Sequence, residues 1–498
     1  MENQGIGDWV HRRRVKSADA TALIDGERRL SYAAFARRID ALAGALTERR
    51  IGRGDRVAYL GPNAPEFLET FFAVTSLGAV FVPLNTRLAA GEIAYAVEDS
   101  GSRLVVVAPE LTALVPSTVD TVVVGPGYEG LVASADPTHA DHPVSLDDPA
   151  LILYTSGTTG RPKGAILTHG NLTWNAINAI VDYDVTSREV ALMVSPLFHV
   201  ASLGMGALPT LLKGGTLVLQ ARFEPGAVLA AIEEHGITSL SGVPTTFQML
   251  AEHPAWATTD LSTIDKLTCG GSAVPARVTE AYEERGLAFS SGYGMTETSP
   301  GTTSLSARHS RSHATTSGLP HFFTSVRVVD REGADVPPGH LGEILIAGPN
   351  VTPGYWGLPE ASEHALRGGW FHSGDLGRLD DDGFLTIADR AKDMFISGAE
   401  NVYPAEVEQL IMELPNVESV AVIGVPDDKW GEVGLAVVIP VPDSTVSHEE
   451  IAAHLDGRIA RYKIPKSTVI VSELPRTASG KVRKNLLRDR YAPAATAD

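Results

Sequence analysis

Cysteine is nearly absent from this sequence. Only one of the 498 residues is a cysteine, Cys269, so no internal disulfide can form. Cys269 lies in the segment Leu267–Gly271, which has the pattern of a strand that runs into a turn. Because no histidine lies near it in the sequence to activate the thiol, we interpret Cys269 as a small core residue and not as a nucleophile.

Basic residues are in deficit as well. The chain has 41 lysines and arginines against 60 aspartates and glutamates, which gives a net charge of −19 at pH 7. Nucleic acids and acidic membrane surfaces would repel such a chain, so we expect neither as a partner.

Long uninterrupted apolar runs are missing too. The most apolar region, residues 67–84, is broken by Glu69 and Gly78 and carries Pro83 near its end. It predicts a buried helix followed by a strand, and not a segment that spans a bilayer. The N-terminus has no apolar core suited to a signal peptide. With 44% apolar and 20% charged residues, the sequence indicates a globular, cytoplasmic protein with more than one core and no integral membrane segment.

Helical and strand patterns alternate through most of the chain. Ser31 precedes a helical pattern over 32–46, and a second helical pattern covers 66–77. The predicted apolar strands are 55–60, 80–84, 103–107, 150–154, 190–196, 216–219, 239–243 and 267–270. Such alternation favours an α/β fold with doubly wound sheets and helices on both faces. After about residue 320, short strands at 325–329 and 342–346 predict a small antiparallel subdomain.

The last hundred residues are predicted to be a separate small α+β domain. An amphipathic helix is expected over 404–414 and a second helix over 448–459, with strands at 417–425 and 433–441. A charged stretch at 389–393 marks the joint. We therefore expect a large N-terminal domain, 1–389, and a C-terminal domain, 390–498.

One loop carries the clearest chemical signal. Thr155–Gly164 follows an apolar strand and combines glycines, hydroxyl side chains and Lys163. Backbone N–H groups, hydroxyls and an ammonium suit a polyanion, which indicates a nucleotide triphosphate. The loop departs from the common P-loop, since Gly157 and Gly160 are too close together and Pro162 removes a donor. Taken alone, the segment is also compatible with a solvated turn.

Four further segments accompany this loop. They are Pro196–His199, Ser291–Thr298, Trp370–Asp375 with Asp389–Arg390 and Ile396–Pro404, and Pro475–Arg483. Together, and in this order, they resemble the adenylate-forming superfamily, which includes acyl-CoA synthetases, luciferases and synthetase domains. The resemblance extends from about Leu30 to Arg490. The sequences of the motifs are most similar to those of fatty-acyl-CoA synthetases, and aryl-CoA ligases share them.

The resemblance implies that a carboxylic acid attacks the α-phosphate of ATP, expels pyrophosphate and is then transferred to CoA. In that scheme Lys163 and the loop hold the outer phosphates, Tyr293 packs on adenine, and Asp375 and Arg390 bind the ribose. The implied ATP-binding residues are Thr155, Ser156, Gly157, Thr158, Thr159, Gly160, Lys163, Gly271, Ser272, Ala273, Gly292, Tyr293, Gly294, Thr296, Asp375, Arg390 and Lys481.

Four residues are implied in catalysis. Glu297 corresponds to the Mg²⁺ ligand, Thr296 donates to the α-phosphate, and Lys481 bridges the acid carboxylate and that phosphate. His199 is the fourth, next to the acid. Taken without the family pattern, Glu297 and Asp375 would be read as surface acids, and Lys481 as a solvated lysine.

The second half-reaction implies a mobile C-terminal domain. Lys392 resembles the hinge, and Gly398 would flank the tunnel for the CoA thiol. Ala399 stands where many relatives carry a second glycine, and Leu319 stands where relatives usually have arginine. These departures leave two alternatives open, a carrier protein as acceptor or activation of nitrite to diazotise an aryl amine. A non-catalytic module with a remnant nucleotide site is disfavoured, because Lys163, Glu297, Asp375, Arg390 and Lys481 are all present.

The acid pocket is expected to take a monocarboxylate with an uncharged tail, fatty or aromatic. Segments 198–206, 242–250, 270–275 and 292–300 contain no lysine or arginine to pair with a second ionised group. Ala201, Gly204 and Gly206 are expected to leave room for the tail. The proposed pocket residues are His199, Val200, Ser202, Gly242, Val243, Gly271 and Gly294. The expected partners are thus the acid, ATP and CoA, with homodimerisation left open.

Overall fold

The computed structural model describes residues 3–137, 139, 142–155, 161–270, 276–389, 393–402, 404–475, 482 and 484–492. The chain divides into two compact units. The first comprises Met1–Thr86, Val97–Leu153 and Gly164–Asp389. The second comprises Arg87–Ala96, Tyr154–Lys163 and Arg390–Asp498.

The strands follow in chain order. They are β1 Thr21–Asp25, β2 Arg28–Ser31, β3 Arg56–Leu60, β4 Val80–Leu84, β5 Ser102–Val107, β6 Asp120–Val123, β7 Pro149–Thr155, β8 Lys163–Thr168, β9 Val190–Met193, β10 Thr216–Leu219, β11 Ser239–Gly242, β12 Lys266–Cys269, β13 Phe289–Gly294, β14 Gly301–Leu305, β15 Leu319–Pro320, β16 Ser325–Val329, β17 Gly342–Ala347, β18 Gly354–Tyr355, β19 Phe371–Leu379, β20 Leu385–Asp389, β21 Phe395–Ser397, β22 Glu400–Val402, β23 Val417–Asp427, β24 Gly431–Pro440 and β25 Ser467–Ile470.

The α-helices are α1 Trp9–Ser17, α2 Tyr32–Glu48, α3 Pro65–Ser76, α4 Ala90–Ser100, α5 Pro126–Ser134, α6 His169–Asp182, α7 Val200–Ser202, α8 Leu208–Lys213, α9 Pro225–His235, α10 Pro244–Ala251, α11 Ala276–Glu283, α12 Pro359–Ala365, α13 Pro404–Ile411, α14 His448–Leu455 and α15 Lys484–Tyr491. Ser31 caps α2 as the sequence predicts, since its side chain accepts a hydrogen bond from the Ala34 N–H at 3.2 Å.

A nine-stranded sheet has the order β15-β14-β13-β12-β11-β9-β10-β1-β2. The strands from β13 to β1 pair in parallel, while β14 and β15 at one end of the sheet and β2 at the other pair antiparallel. Because the carboxyl ends of parallel strands lie along one edge of a sheet, loops that follow β9, β11 and β13 emerge on the same side.

A seven-stranded sheet has the order β18-β8-β7-β4-β3-β5-β6. The run from β7 to β6 is parallel, and α3 packs beside it. Phe67 and Phe71 of α3 contact Phe81 of β4 with ring centroids 5.2 and 5.5 Å apart. All three rings are buried, so the predicted buried helix and strand over residues 67–84 are confirmed.

The predicted antiparallel subdomain is the four-stranded sheet β16-β17-β19-β20. Its apolar face contains Val328, Ile344, Ile346, Phe371 and Leu385, all buried. The sheet matters for the site because β19 carries Asp375.

In the second unit, β22, β21, β24 and β23 form a sheet, and β25 pairs with β24. Alternate residues of β23 enter two different cores: Val420 and Val422 pack with helices α13 and α14, while Ala421 and Ile423 pack with α15. Because successive side chains of a strand point to opposite faces, both faces of this sheet are apolar and helices pack on each. This agrees with the predicted α+β domain.

The first C-terminal helix ends at Ile411 and not at 414, and the second is also shorter than the prediction. It ends at Leu455 and not at Ile459, because Gly457 has φ = +72°, a left-handed conformation that stops a helix. The predicted α/β architecture with a smaller α+β part is otherwise confirmed. Within the ranges described, no helix combines the length and apolar composition needed to cross a membrane.

A buried ion cluster lies in the second unit. The Lys463 ammonium contacts Glu92 Oε1 at 2.6 Å and Glu406 Oε1 at 2.9 Å, and all three side chains are less than a tenth exposed. Burial raises the pKa of Glu406 to about 7, with Lys463 acting in the opposite direction and Glu92 adding to the rise. The single ammonium group of Lys463 thus pairs with two buried carboxyl groups.

Glu406→Gln is expected to make the stability of the protein less dependent on pH. Glu406 holds its proton more tightly when folded than when unfolded, where a glutamate has a pKa of about 4.3. Its contribution is fully present below that value and is lost as pH rises through about 7. The wild type should lose stability at a rate on the order of 1 kcal/mol per pH unit across this window, and the variant should not.

The measurement is thermal unfolding of both proteins between pH 5 and 8, with Glu418→Gln as the control because Glu418 is exposed. Parallel pH profiles for wild type and Glu406→Gln would contradict a titrating buried carboxyl at this position.

Candidate nucleotide and acid site

Tyr293 and Asp375, predicted from separate motifs, are hydrogen-bonded to each other. The Tyr293 hydroxyl on β13 donates to Asp375 Oδ2 on β19 at 2.7 Å. The Asp375 backbone N–H donates to Ser373 Oγ at 3.0 Å, and that hydroxyl donates to the Ile344 carbonyl at 2.7 Å. The Asp375 carboxylate is half-buried and lies on a paired strand. A carboxylate fixed in this way suits the predicted role of Asp375, which is to accept hydrogen bonds from the two ribose hydroxyls.

Glu297 has a partner that the sequence did not reveal. It lies in the short 3₁₀ turn Thr296–Thr298, and its Oε1 accepts a hydrogen bond from the Tyr355 hydroxyl at 2.9 Å. Its carbonyl accepts from the Thr352 N–H at 2.8 Å. Tyr355 lies on β18, which pairs with β8 opposite Ala165. The carboxylate is thereby oriented from both its backbone and its side chain.

Thr155 and Lys163, at the two described ends of the loop that the sequence predicts to bind phosphate, are close together. Thr155 ends β7 and Lys163 begins β8, and the Thr155 hydroxyl donates to the Lys163 carbonyl at 3.4 Å. Both residues belong to the second unit. Eleven proposed site residues lie outside the described residues: Ser156, Gly157, Thr158, Thr159, Gly160, Gly271, Ser272, Ala273, Arg390, Lys392 and Lys481.

Gly292 and Gly294 are required by packing. A Cβ on Gly292 would lie 2.3 Å from the Thr303 carbonyl oxygen, and one on Gly294 would lie 1.6 Å from the Pro300 carbonyl oxygen. The backbone of β13 can therefore approach its neighbour only with glycine at both positions. This reason holds whether or not a nucleotide lies beside them.

The loop that carries His199 is held by a buried asparagine. The Asn63 amide donates to the Met193 and Ser195 carbonyls, each at 3.0 Å, and its oxygen accepts from the Leu197 N–H at 2.8 Å. The His199 ring lies against Phe198, with centroids 4.8 Å apart. Asn63 thus fixes both sides of the turn between β9 and His199.

Of the proposed pocket residues, Val200 and Ser202 are buried in α7. The Ser202 hydroxyl donates to the Ser195 carbonyl at 2.9 Å, so it stabilises the His199 loop. Gly242 ends β11 and Val243 precedes α10. The parallel order β13-β12-β11-β9 therefore places His199, Val243 and Tyr293 at one edge of one sheet.

The expected room beside Gly204 is filled. Gly204 and Gly206 lie in a π-helical turn, Leu203–Ala207. A Cβ on Gly204 would lie 2.5 Å from the Ser299 carbonyl oxygen, and one on Gly206 would lie 3.0 Å from Met193 Cε. The prediction of free space at Gly204 is wrong, because the missing side chain allows backbone to approach. At Gly206 a flexible methionine occupies the space.

Cys269 is a core residue, as the sequence predicts. It is 1% exposed, and burial raises the pKa of its thiol to about 12. A thiol with such a pKa stays protonated near neutral pH, so Cys269 does not act as a nucleophile.

The proposed acceptor segment forms a tight hairpin in the second unit. Gly398 and Ala399 connect β21 to β22 with φ values of +58° and +67°. Two consecutive residues with positive φ define a type I′ turn, which favours glycine. A Cβ on Gly398 would also lie 2.7 Å from Trp430 Cε3. Ala399 therefore adopts a conformation that is strained for alanine.

Two family models match the chain. The AMP-binding enzyme model matches residues 10–356, and the AMP-binding enzyme C-terminal domain model matches residues 406–481. This chain is an AMP-binding enzyme of the adenylate-forming superfamily.

Similar proteins extend the match to nearly the full length of the enzyme. It is 50% identical to a feruloyl-CoA synthase of Amycolatopsis sp over 99% of this chain and 100% of the relative. It is 40% identical to the indoleacetate–CoA ligase of Aromatoleum aromaticum over 98% of each chain. A solved structure of an o-succinylbenzoate CoA synthetase double mutant from Bacillus subtilis is 32% identical, with a TM-score of 0.88 over 97% of this chain and 98% of that one.

These relatives confirm the predicted enzyme class, an AMP-forming acid–CoA ligase. The two alternatives, transfer to a carrier protein and nitrite activation, are not favoured. The sequence of this AMP-binding enzyme does not point to Asn63, which holds the loop of His199, or to Tyr355, which orients Glu297. Neither stands in a motif, and their partners lie 130 and 58 residues away in the sequence.

Ala399→Gly is expected to stabilise the enzyme. Glycine removes the steric penalty of the left-handed conformation, which is about 1 kcal/mol per residue, so the free energy of unfolding should rise by about that amount. The control is the same change in a helix: Ala453→Gly in α14 should lower stability by about 1 kcal/mol. Chemical unfolding of the two variants measures both effects, and a loss of stability in Ala399→Gly would contradict the strained turn.

Proposed function

We propose that this enzyme ligates an aromatic monocarboxylic acid of the hydroxycinnamate type to CoA through an acyl adenylate. The observation that carries the proposal is the similarity to a feruloyl-CoA synthase along the whole chain. The indoleacetate–CoA ligase supports it, because its named acid also has an aromatic ring.

The chemistry of the described pocket segments supports an uncharged tail. Residues 198–206, 242–250 and 292–300 contain no lysine or arginine, and a second carboxylate buried there would have no cationic partner. A phenol and an ether are uncharged near neutral pH. Of the two acid classes that the sequence left open, the proposal takes the aromatic one, because the feruloyl-CoA synthase and the indoleacetate–CoA ligase are both named for ring acids.

In the proposed mechanism the protein holds two anionic reactants and neutralises them. Lys163 and the loop that begins at Thr155 bind the outer phosphates. Asp375 accepts hydrogen bonds from the ribose hydroxyls, and Arg390 donates to the ribose. Tyr293 packs on adenine and orients Asp375. Thr296 donates to the α-phosphate as charge develops.

Glu297 is proposed to bind Mg²⁺ together with phosphate oxygens. Magnesium prefers one or two carboxylates plus phosphate and water, and the half-buried, oriented carboxylate of Glu297 fits that preference. When bound, Mg²⁺ neutralises phosphate charge and orients pyrophosphate as the leaving group.

The acid is proposed to lie against the loop that carries His199, with Val200, Val243 and Gly294 nearby. Lys481 would supply the positive charge between the acid carboxylate and the α-phosphate. We place the boundary between the two functional domains at residues 389 and 390, the hinge at Lys392 and the thiol passage at Gly398 and Ala399. A cytoplasmic location and a homodimer belong to the same proposal.

The test is a comparison of acids at saturating ATP, Mg²⁺ and CoA. Ferulate, coumarate, indoleacetate, octanoate and palmitate are compared by kcat/KM, with each thioester identified by mass. The proposal predicts that a hydroxycinnamate exceeds both fatty acids by at least about tenfold, since a mismatched apolar pocket costs roughly 1–3 kcal/mol. A fatty acid preferred over every ring acid would contradict it and would leave CoA ligation intact.

A further inference from the structure

Two histidines and an aspartate converge in the first unit, and none of the three has a role assigned above. His11 lies on α1, Asp40 on α2 and His139 in the segment after α5. His11 Nε2 lies 2.8 Å from Asp40 Oδ1, and His139 Nδ1 lies 3.1 Å from the same oxygen. The three ligand atoms all lie within 4.8 Å of one another. The chain thus gathers three metal-ligating side chains from three separate segments.

Two of these side chains are buried with unsatisfied polar atoms. The side chains of His11 and Asp40 are 6% and 2% exposed. Among the residues that the structure describes, neither the ring nitrogens of His11 nor the Oδ2 of Asp40 have a partner in hydrogen-bond geometry. His11 Nε2 is close to Asp40 Oδ1 without that geometry, and Arg14 Nη1 lies 3.6 Å from Asp40 Oδ2. Burying a carboxylate and an imidazole in this way costs free energy unless a further group satisfies them.

His139 is oriented as a metal ligand would be. Its Nδ1 faces Asp40, and its other nitrogen, Nε2, lies 3.5 Å from Asp8 Oδ1. Asp8 is itself held by Arg12, whose Nε lies 2.6 Å from Asp8 Oδ2. A histidine that binds a metal usually donates its second ring N–H to a carboxylate, which fixes the tautomer. Asp8 stands in that position.

We propose that His11 Nε2, His139 Nδ1 and the Asp40 carboxylate bind a divalent transition-metal ion of the Zn²⁺ class. Zinc lies about 2.1 Å from such ligands, which separates tetrahedral ligand atoms by about 3.4 Å. The observed separations from Asp40 Oδ1, 2.8 and 3.1 Å, are about 0.6 and 0.3 Å shorter than that value. All three ligand atoms lie within 4.8 Å of one another, so modest side-chain rotations would admit the ion. Two imidazoles and one carboxylate select Zn²⁺, Cu²⁺ or Ni²⁺ over Mg²⁺.

The competing arrangement is a metal-free hydrogen-bond cluster. In it, one oxygen of Asp40 accepts from two imidazoles whose ring centroids are only 3.7 Å apart. That arrangement leaves Asp40 Oδ2 with only Arg14 Nη1 beside it, at 3.6 Å. An ion uses all three side chains and links α1, α2 and His139, so its role is to stabilise the fold.

The test is zinc binding to the full-length protein without an affinity tag, treated with EDTA, dialysed, and titrated in the absence of ATP and CoA. Isothermal titration calorimetry should show that one Zn²⁺ ion binds per protein molecule, and this binding should require His139. His139→Ala should weaken this binding about 100-fold or more, and Asp8→Asn about tenfold. His142→Ala is the matched control, because His142 is a half-buried histidine three residues away, and it should bind as the wild type does.

Two further readouts separate this site from the proposed magnesium site and from a thiol. Saturating Zn²⁺ should raise the Tm of the wild type and of His142→Ala, but not of His139→Ala. The Co²⁺ complex should show visible absorption of nitrogen and oxygen ligands without a thiolate band, since Cys269 is buried.

Absence of stoichiometric Zn²⁺ binding, or equal affinity and equal Tm shifts in wild type and His139→Ala, would overturn the proposal. If His139→Ala does not fold by circular dichroism, Asp8→Asn decides: unchanged affinity in that variant overturns the proposal, and a loss of about tenfold supports it.

Discussion

Lys481→Ala is expected to reduce acyl-adenylate formation by about 10²- to 10³-fold, the usual effect of removing one group that stabilises charge in a transition state. The acid carboxylate and the α-phosphate are both anions, and the proposed role of Lys481 is to neutralise their approach. Conversion of a supplied acyl adenylate to the thioester should stay within a few-fold of the wild type, because the reaction with a thiol no longer brings two anions together.

The measurement separates the two half-reactions. Pyrophosphate exchange reports adenylation, and thioester formation from synthetic feruloyl adenylate and CoA reports transfer. Lys466→Ala is the control, since Lys466 is an exposed lysine of the same C-terminal region, and both its rates should match the wild type. Equal losses in the two half-reactions of Lys481→Ala would count against a lysine that serves adenylation alone.

Asp375→Ala is expected to raise the KM for ATP by about 100-fold. A hydrogen bond to a charged group contributes roughly 1.5–3 kcal/mol, and the proposed role of Asp375 is to accept from the ribose hydroxyls. Tyr293→Phe removes only the hydroxyl that donates to Asp375 Oδ2 at 2.7 Å. It leaves the carboxylate in place, so its effect on the KM should be a few-fold.

The control for this pair is Asp381→Ala, because Asp381 is exposed in the turn between β19 and β20. Steady-state kinetics at varied ATP and saturating acid give the KM values. An unchanged KM for ATP in Asp375→Ala, with kcat reduced instead, would contradict a ribose-binding carboxylate.

Local patterns predicted the elements of this fold well. The strand predicted at Val80–Leu84 has those bounds in the structure. Ser31 caps helix α2, which begins at the next residue, as predicted. Both depend on residues within one turn or one strand, so the sequence states them directly. The helical pattern predicts an end at Ile459, but α14 ends at Leu455, because Gly457 takes a left-handed conformation.

Long-range packing accounts for most of what the sequence could not predict at the site. The hydrogen bond between Tyr293 and Asp375 joins residues from two sheets. No local sequence pattern indicates that Asn63 contacts the loop of His199 or that Tyr355 contacts Glu297. At Gly204 the sequence shows a missing side chain, but only the fold shows that Ser299 fills the space. His11 stands in a run of basic residues, 11–14, yet the fold buries it against Asp40.

The proposed acyl-adenylate route is tested most directly by the fate of a carboxylate oxygen. Ferulate labelled with oxygen-18 in its carboxyl group is turned over with ATP, Mg²⁺ and CoA, and the nucleotide product is analysed by mass. Attack on the α-phosphate and later cleavage of the acyl carbon–oxygen bond by the thiol leave one labelled oxygen in AMP. The account predicts AMP with one oxygen-18 atom for each feruloyl-CoA formed; unlabelled AMP, or ADP with labelled phosphate, would contradict it.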